Sequence, residues 1–427
     1  MNKLKETELG FYIPSFFRMK ISTSNSLGNQ LNFVNEKDES TFLHEYIHFI
    51  QDVTTTFGFA NINRISNYLR YVNNYILKNS IQTCPVPIIP DQSLDSITYT
   101  NMELFELYYG NGEEDKAQFI SHNLSKTFVP GLGQDVNYVV VDYKKTDGIT
   151  STFKFGAICI LESMAYLIEK HIYPNCPVSP DIPYNVAHKL VDLIYPDLLA
   201  NPLNILALCD ASLATFHPGE FFYTNLIRMQ EEQKVFNDPR DVYDYVFDGM
   251  VFNFNGITEI SGLLQKFSDD ADESLTAYFN DKYIDETKKW LSNLIFEGTQ
   301  YRHQNPHFII DLAEGGSITT NKSFREIFTL FGSPIITNDR NEHIIYPQKN
   351  INTDFNPTLV WALEQIFNLF IYGEKSCDMV NVCEKANIKT DIRCSAKPWD
   401  RLKTRDSCQF CLLLHHWGLS NFEPIIN

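Results

Sequence analysis

No run of about 18 or more apolar residues occurs in this 427-residue chain, so no membrane-spanning helix is expected. Lys3 and Lys5 lead into Glu6, Thr7 and Glu8 and not into an apolar stretch, so no secretory leader is expected either. Basic residues are in deficit, 35 Lys and Arg against 53 Asp and Glu, and the formal charge of −18 opposes binding of nucleic acid through the surface as a whole. There is no internal repeat and no low-complexity segment, which excludes solenoids and disordered tracts. The nine cysteines are odd in number. Cys159 and Cys209 fall in apolar helical runs, and a reduced, cytoplasmic protein is the simplest expectation. What the chain does have is apolar mass: 44% hydrophobic residues, with 32 Phe and 22 Tyr, suffice for a large core in two or three lobes.

The stretch His44-Glu45-Tyr46-Ile47-His48 places two imidazoles one helical turn apart with a carboxylate beside the first. With 3.6 residues per turn, positions i and i+4 share a face, so both rings can offer a nitrogen to one ion. Glu45 lies about 100° round the helix, where it suits the work of a general base toward water better than that of a ligand. Chance placement predicts roughly 0.02 such patterns in a chain of this composition. The flanks Thr41-Phe42-Leu43 and Phe49-Ile50 are uncharged, as a preorganised, sheltered metal site requires, whereas an exposed helix would carry Lys, Asp or Glu between the histidines.

A catalytic zinc takes a third protein ligand and keeps one position open. In the HExxHxxGxxH pattern that ligand is a histidine, but here Gln51 stands at the glycine position and Thr54 at the third-histidine position. A glutamate from a second helix is the other source. The run Gly156 to Glu169 reads as a helix with one acid set among apolar residues, Glu162, and an isolated buried carboxylate needs a metal or a cation. The competing readings are a salt bridge from Glu162 to Arg64 or Arg70, an exposed edge, or a ligand drawn from Glu103, Glu106, Glu169 or Glu220. Asp52, four residues past His48, either orients an imidazole or faces solvent.

Through His44, Glu45, His48 and Glu162 the chain resembles the gluzincin clan of zinc metallopeptidases, the thermolysin-like enzymes. The resemblance spans two helices and implies hydrolysis of peptide bonds with one catalytic zinc. The chain departs from the pattern in two places: 113 residues separate His48 from Glu162, and Tyr166 stands where thermolysin-like enzymes carry an acid four residues after the glutamate. The exopeptidase signature Gly-x-Met-Glu-Asn is absent.

The expected fold class is α+β, predominantly α. Residues 1–182 would form a zincin-like mixed lobe with a small sheet and the active-site helix, 183–375 a helical lobe, and 376–427 a Cys-rich segment. Strands are expected at 16–21, 30–34, 137–143 and 151–155, with 30–34 as the cleft rim by analogy. Helices are expected from Asp38 to about Thr56, then over 60–78, 185–195, 203–215, 219–231, 272–296 and 357–372. A donor for the developing oxyanion would come from His217, Tyr223, Tyr301, His303 or His307, none singled out.

The last fifty residues gather Cys377, Cys383, Cys394, Cys408 and Cys411. A second, structural zinc held by Cys408-x-x-Cys411 with Cys383 and Cys394 is conceivable, but the spacing of the first pair is foreign to a zinc ribbon and buried thiols are preferred. The basic surplus between Glu384 and Cys408 suggests a solvated face before a nucleic-acid contact. The reading is a cytoplasmic zinc endopeptidase, of narrow specificity or regulated activity, acting on a protein or peptide substrate, with room for a regulatory protein partner. The rivals are a zinc amidase acting on another bond, and a regulatory interaction protein with a structural HExxH helix and a partner-binding tail.

Overall fold

The computed structural model describes residues 9–27, 33, 35–79, 83–248, 250, 252–279, 284–349, 351, 354–404 and 408–426. Two short strands, β1 (Gly10–Ile13) and β2 (Arg18–Ile21), pair antiparallel and lead to the long helix α1 (Glu36–Thr54). α1 begins earlier than the acidic cluster suggests. Asn35 is its cap, accepting from the Asp38 amide at 2.8 Å, while Glu36, Asp38 and Glu39 complement the positive helix end. From Ser40 to Thr54 every residue is buried, which is why the helix lacks a charged solvent face.

Thr55 joins α1 to α2 (Thr56–Lys78): its hydroxyl donates to the Gln51 carbonyl at 2.6 Å and accepts from the Gly58 amide at 3.0 Å. A Cβ at Gly58 would collide with the Asp52 backbone, so the close turn between the helices depends on glycine. The strand β3 (Thr83–Val86) and helix α3 (Ser96–Tyr109) follow. A meander of β4 (Ala117–Val129), β5 (Gln134–Lys145) and β6 (Thr150–Phe155) then delivers the chain into α4 (Ala157–Ile172). β4 has no clear alternation because its exposed positions mix Gln118, Ser121, Asn123 and Lys126 with Ile120, Leu124 and Phe128; pairing with β5 makes it a strand.

Helices α5 (Val186–Ile194), α6 (Pro202–Ser212) and α7 (Pro218–Glu231) pack around α4, and further helices include Ile260–Thr276, Asp285–Gln304 and Thr358–Tyr372. The single helix expected over 272–296 is two: a 3₁₀ turn at Ala277–Phe279 buries Tyr278 and Phe279 and ends the first. β7 (Ile335–Asn338) pairs parallel to β2, β8 (His343–Ile344) completes that sheet, and β9 (Glu423–Ile426) pairs parallel to β3. Of the strand expected at 30–34, only Phe33 is among the described residues, and it belongs to no regular element.

The fold is therefore α+β and mainly helical, with small sheets. One hydrophobic cluster runs from Tyr12 to Phe422, so the segments 1–182, 183–375 and 376–427 interleave through shared sheets and a shared core. Arg18 on β2 is one tie. It forms a two-point ion pair with Glu364 of the helix Thr358–Tyr372, at 2.6 and 2.8 Å, and lies 4.7 Å over the Trp361 ring. Among the described residues no helix is long and apolar enough to cross a membrane.

Candidate metal centre

α1 and α4 pack against each other and bring His44, His48 and Glu162 together, all buried, with one ligand atom from each lying within 4.8 Å of the others. Glu162 Oε2 is 3.2 Å from His44 Nε2 and 3.3 Å from His48 Nε2. Charge-assisted N–H···O⁻ hydrogen bonds run shorter, about 2.7–2.9 Å. Two donors about 2.0–2.1 Å from one tetrahedral ion stand roughly 3.3–3.4 Å apart, which is the spacing seen.

The far side of each ring supports the same assignment. His44 Nδ1 lies 3.0 Å from Glu169 Oε2, and His48 Nδ1 lies 2.8 Å from Gln51 Oε1. Because the Gln51 amide nitrogen donates to the Leu161 carbonyl at 3.0 Å, its oxygen faces His48, and the ring proton sits on Nδ1. Glu169, a pure acceptor when ionised, holds the His44 proton on Nδ1 likewise. Both Nε2 atoms then face the shared carboxylate oxygen, the disposition a metal-binding histidine pair needs.

The ionisable side chains of the site perturb one another strongly. Burial raises the pKa of Glu162, but the His48 charge and hydrogen bonds from both imidazoles outweigh it and hold the carboxyl at about 2. Burial lowers both histidines, yet Glu162, Glu169 and Glu45 leave His44 raised, and Glu162 and Glu45 leave His48 raised. Glu45 is pushed up to about 7, first by burial, against the pull of the two histidines and with the repulsion of Glu162 and Glu169. In the side chains alone, the raised imidazoles carry the positive charge that offsets these acids. A divalent cation held by the same three atoms would supply that charge and leave the imidazoles neutral, and two nitrogens with one oxygen are donors of the kind zinc takes.

His44, Glu45, Glu162 and Glu169 open onto a cleft of about 1170 Å³, walled by residues 109–115 and by the proline-rich 177–184 segment. Tyr109 and Tyr184 line it, the Tyr184 ring centred 5.7 Å from that of His44. β1 borders α1 here: a Cβ on Gly10 would stand 3.0 Å from Thr41 and 3.3 Å from Glu45 side-chain atoms.

Other residues singled out from sequence lie elsewhere. Asp52 neither orients an imidazole nor faces solvent; it is buried and accepts from the Tyr12 hydroxyl at 3.0 Å and the Ser15 amide at 2.5 Å, tying the β1–β2 turn to α1. Glu220 pairs with His217 at 2.7 Å, while Glu103 and Glu106 line a separate pocket beyond Tyr109. His217 stacks on Tyr108, Tyr223 bonds His122, Tyr301 packs on Phe308 and Phe331, and His307 packs on Tyr243. None of these, nor His303, lines the cleft. Arg64 bonds Asn61 and Arg70 bonds Asn67, so neither pairs with Glu162 in the way the salt-bridge reading required.

Sequence reasoning passed over Gln51 and Tyr184, and weighed Glu169 only as a ligand. Glu169 had a signal: seven residues turn a helix through about 700°, or about 20° short of two full turns, so it points where Glu162 points. In the tail, Trp399 and Trp417 are buried, all nine cysteines are free thiols, and several basic residues are paired, Arg393 with Asp391 and Lys403 with Glu423. Comparison of the chain with protein-family models, curated proteins and solved structures finds no match.

Proposed function

We infer that this chain is a zinc-dependent peptidase of the HExxH, gluzincin-like kind. The observation that carries the reading is the convergence of both Nε2 atoms on one Glu162 oxygen at coordination spacing while acceptors hold both Nδ1 protons. His44, His48 and Glu162 would hold the ion. When bound, zinc supplies Lewis-acid chemistry to a substrate carbonyl and makes water a better acid. Glu45, on the cleft wall beside His44, accepts the proton of the attacking water and passes it to the leaving amine nitrogen. Tyr184, on the cleft wall with its ring 5.7 Å from that of His44, would donate its hydroxyl proton to the oxygen that gains charge.

The small sheet beside α1 is read as the zincin-like part of the molecule. β1, at the edge of that sheet and against α1, takes the rim role expected of 30–34 and would pair with an extended substrate. Nine unpaired thiols suit a reduced, cytoplasmic setting. The buried site at the foot of a walled cleft suits a narrow substrate range.

Zinc per chain in protein purified without added metal, with His44→Ala and Glu162→Ala alongside, tests the site; one zinc lost or weakened in both is expected. Internal cleavage of an N-terminally blocked protein by wild type, with loss of about 10²–10⁴-fold in zinc-loaded Glu45→Gln, tests the chemistry. Full turnover in Glu45→Gln would remove Glu45 from the mechanism. Release of only a terminal acyl group would make the protein an amidase.

A further inference from the structure

Five cysteines converge on one buried arginine at the C-terminal end of the fold. Cys377, Cys383, Cys394 and Cys408 line a small cavity together with Arg401. The Arg401 guanidinium is 1% exposed, donates to Cys394 Sγ at 3.2 Å and to the Lys389 carbonyl at 2.6 Å, and lies 3.7 Å from Asp391. These thiols are not gathered as metal ligands: among the described residues the one group of three or more ligand atoms within 4.8 Å is His44, His48 and Glu162.

Two of the five stand apart by position. Cys408 is the N-cap of the helix Gln409–His416 and is half-buried, whereas Cys411, one turn inside the same helix, is fully buried. The first helical hydrogen bond, Leu412 amide to Cys408 carbonyl at 2.8 Å, fixes that turn. Residues three apart across such a turn have Cα atoms roughly 5–6 Å from each other, inside the range a disulfide spans. The less buried cysteine therefore comes first in the turn, and the fully buried one lies within bonding reach behind it.

We propose that Cys408 and Cys411 form a thiol–disulfide exchange site that takes a small-molecule disulfide such as glutathione disulfide. The Cys408 thiolate attacks one sulfur of the disulfide, forming a mixed disulfide and expelling one thiolate. Cys411 then gives its proton to water and attacks the Cys408 sulfur, closing the Cys408–Cys411 bond and releasing the second thiolate. The dithiol loses two electrons and two protons, and the small disulfide gains them as two thiols.

The surroundings favour the attacking form. The Cys408 thiol is drawn down by the Cys411 thiol, against burial, with help from the first helix amides and the Arg401 charge. The same contact pushes Cys411 up, as befits a resolving thiol that is not itself exposed. Cys377 and Cys383 are raised by burial and face the same cavity, so they do not compete as nucleophiles.

The test is alkylation of the full-length protein across pH 5–9, read at each cysteine by peptide mass spectrometry, followed by exposure to glutathione disulfide. Cys408 should react first, with a midpoint below the roughly 8.5 of an ordinary thiol. Oxidation should join Cys408 to Cys411, and Cys411→Ser should stop at a glutathione adduct on Cys408. Three outcomes overturn the proposal: Cys408 reacting no faster than buried Cys159, oxidation pairing Cys408 with Cys383 or Cys394, or reaction only after a chelator strips zinc from the pair. The wild-type alkylation profile decides the first and third without any variant.

Discussion

Glu169→Ala tests the metal centre at the residue that holds the far side of the His44 ring. Its carboxylate accepts from His44 Nδ1 at 3.0 Å in a pocket where His44 is 6% exposed. Removing it leaves a buried N–H without an acceptor, a cost of about 1–3 kcal/mol. Loss of a partner behind a metal-binding histidine lowers metal affinity about 10–100-fold, and at about 1.4 kcal/mol per decade the two figures coincide. Glu169→Gln keeps an acceptor oxygen but loses the charge, so it should fall between wild type and Glu169→Ala. The assay is competition for zinc against a chromophoric chelator at neutral pH, with folding followed by circular dichroism, so catalysis is not needed. Glu162→Ala, which removes a ligand, should lose more than either. Zinc affinity in a folded Glu169→Ala protein within twofold of wild type, while Glu162→Ala has lost it, would refute the orienting role and with it the assignment of the Nδ1 proton.

Tyr184→Phe should lower kcat by roughly 10²–10³-fold with little change in KM or zinc content if its hydroxyl meets the developing oxyanion; steady-state kinetics on a cleaved peptide decide it. Gly298→Ala in the helix Asp285–Gln304 drives a Cβ into the Val53 carbonyl of α1 and should destabilise by about 1–3 kcal/mol in urea unfolding, with zinc content per folded chain preserved. Asp52 is raised by burial from 3.8 to about 7 in the fold, although Ser15, Tyr12 and His48 pull the other way. Between those two values the folded state binds the extra proton, so stability is greatest below the lower one and falls as pH rises through the upper. The slope reaches about 1.4 kcal/mol per pH unit at most. Asp52→Asn should flatten it, and an unchanged slope in equilibrium unfolding across pH 4–8 would show that Asp52 is not its source.

Much of the fold was legible where one periodicity dominated. α2, α5, α6, α7 and the helix Thr358–Tyr372 fall near the segments expected, and β5 and β6 announce themselves by β-branched and aromatic residues. β4 did not, because its polar and apolar side chains do not alternate and pairing with β5 makes it a strand. The helix expected over 272–296 looked continuous because helical propensity does not register that Tyr278 and Phe279 must turn into the core.

At the candidate site the division is sharper. Spacing alone determined that His44 and His48 share a helix face with Glu45 turned aside, and a lone acid in an apolar helix determined that Glu162 needed a positive partner. Those are local properties, set by 3.6 residues per turn and by the cost of burying charge. Only the tertiary structure decided that Glu169 and Gln51 hold the ring protons, that Asp52 braces the β1–β2 turn, that Tyr184 enters the cleft, and that Cys408 and Cys411 meet beside Arg401. Each depends on which elements pack together and how each is rotated about its axis, and those choices are made by side chains distant in sequence filling one core.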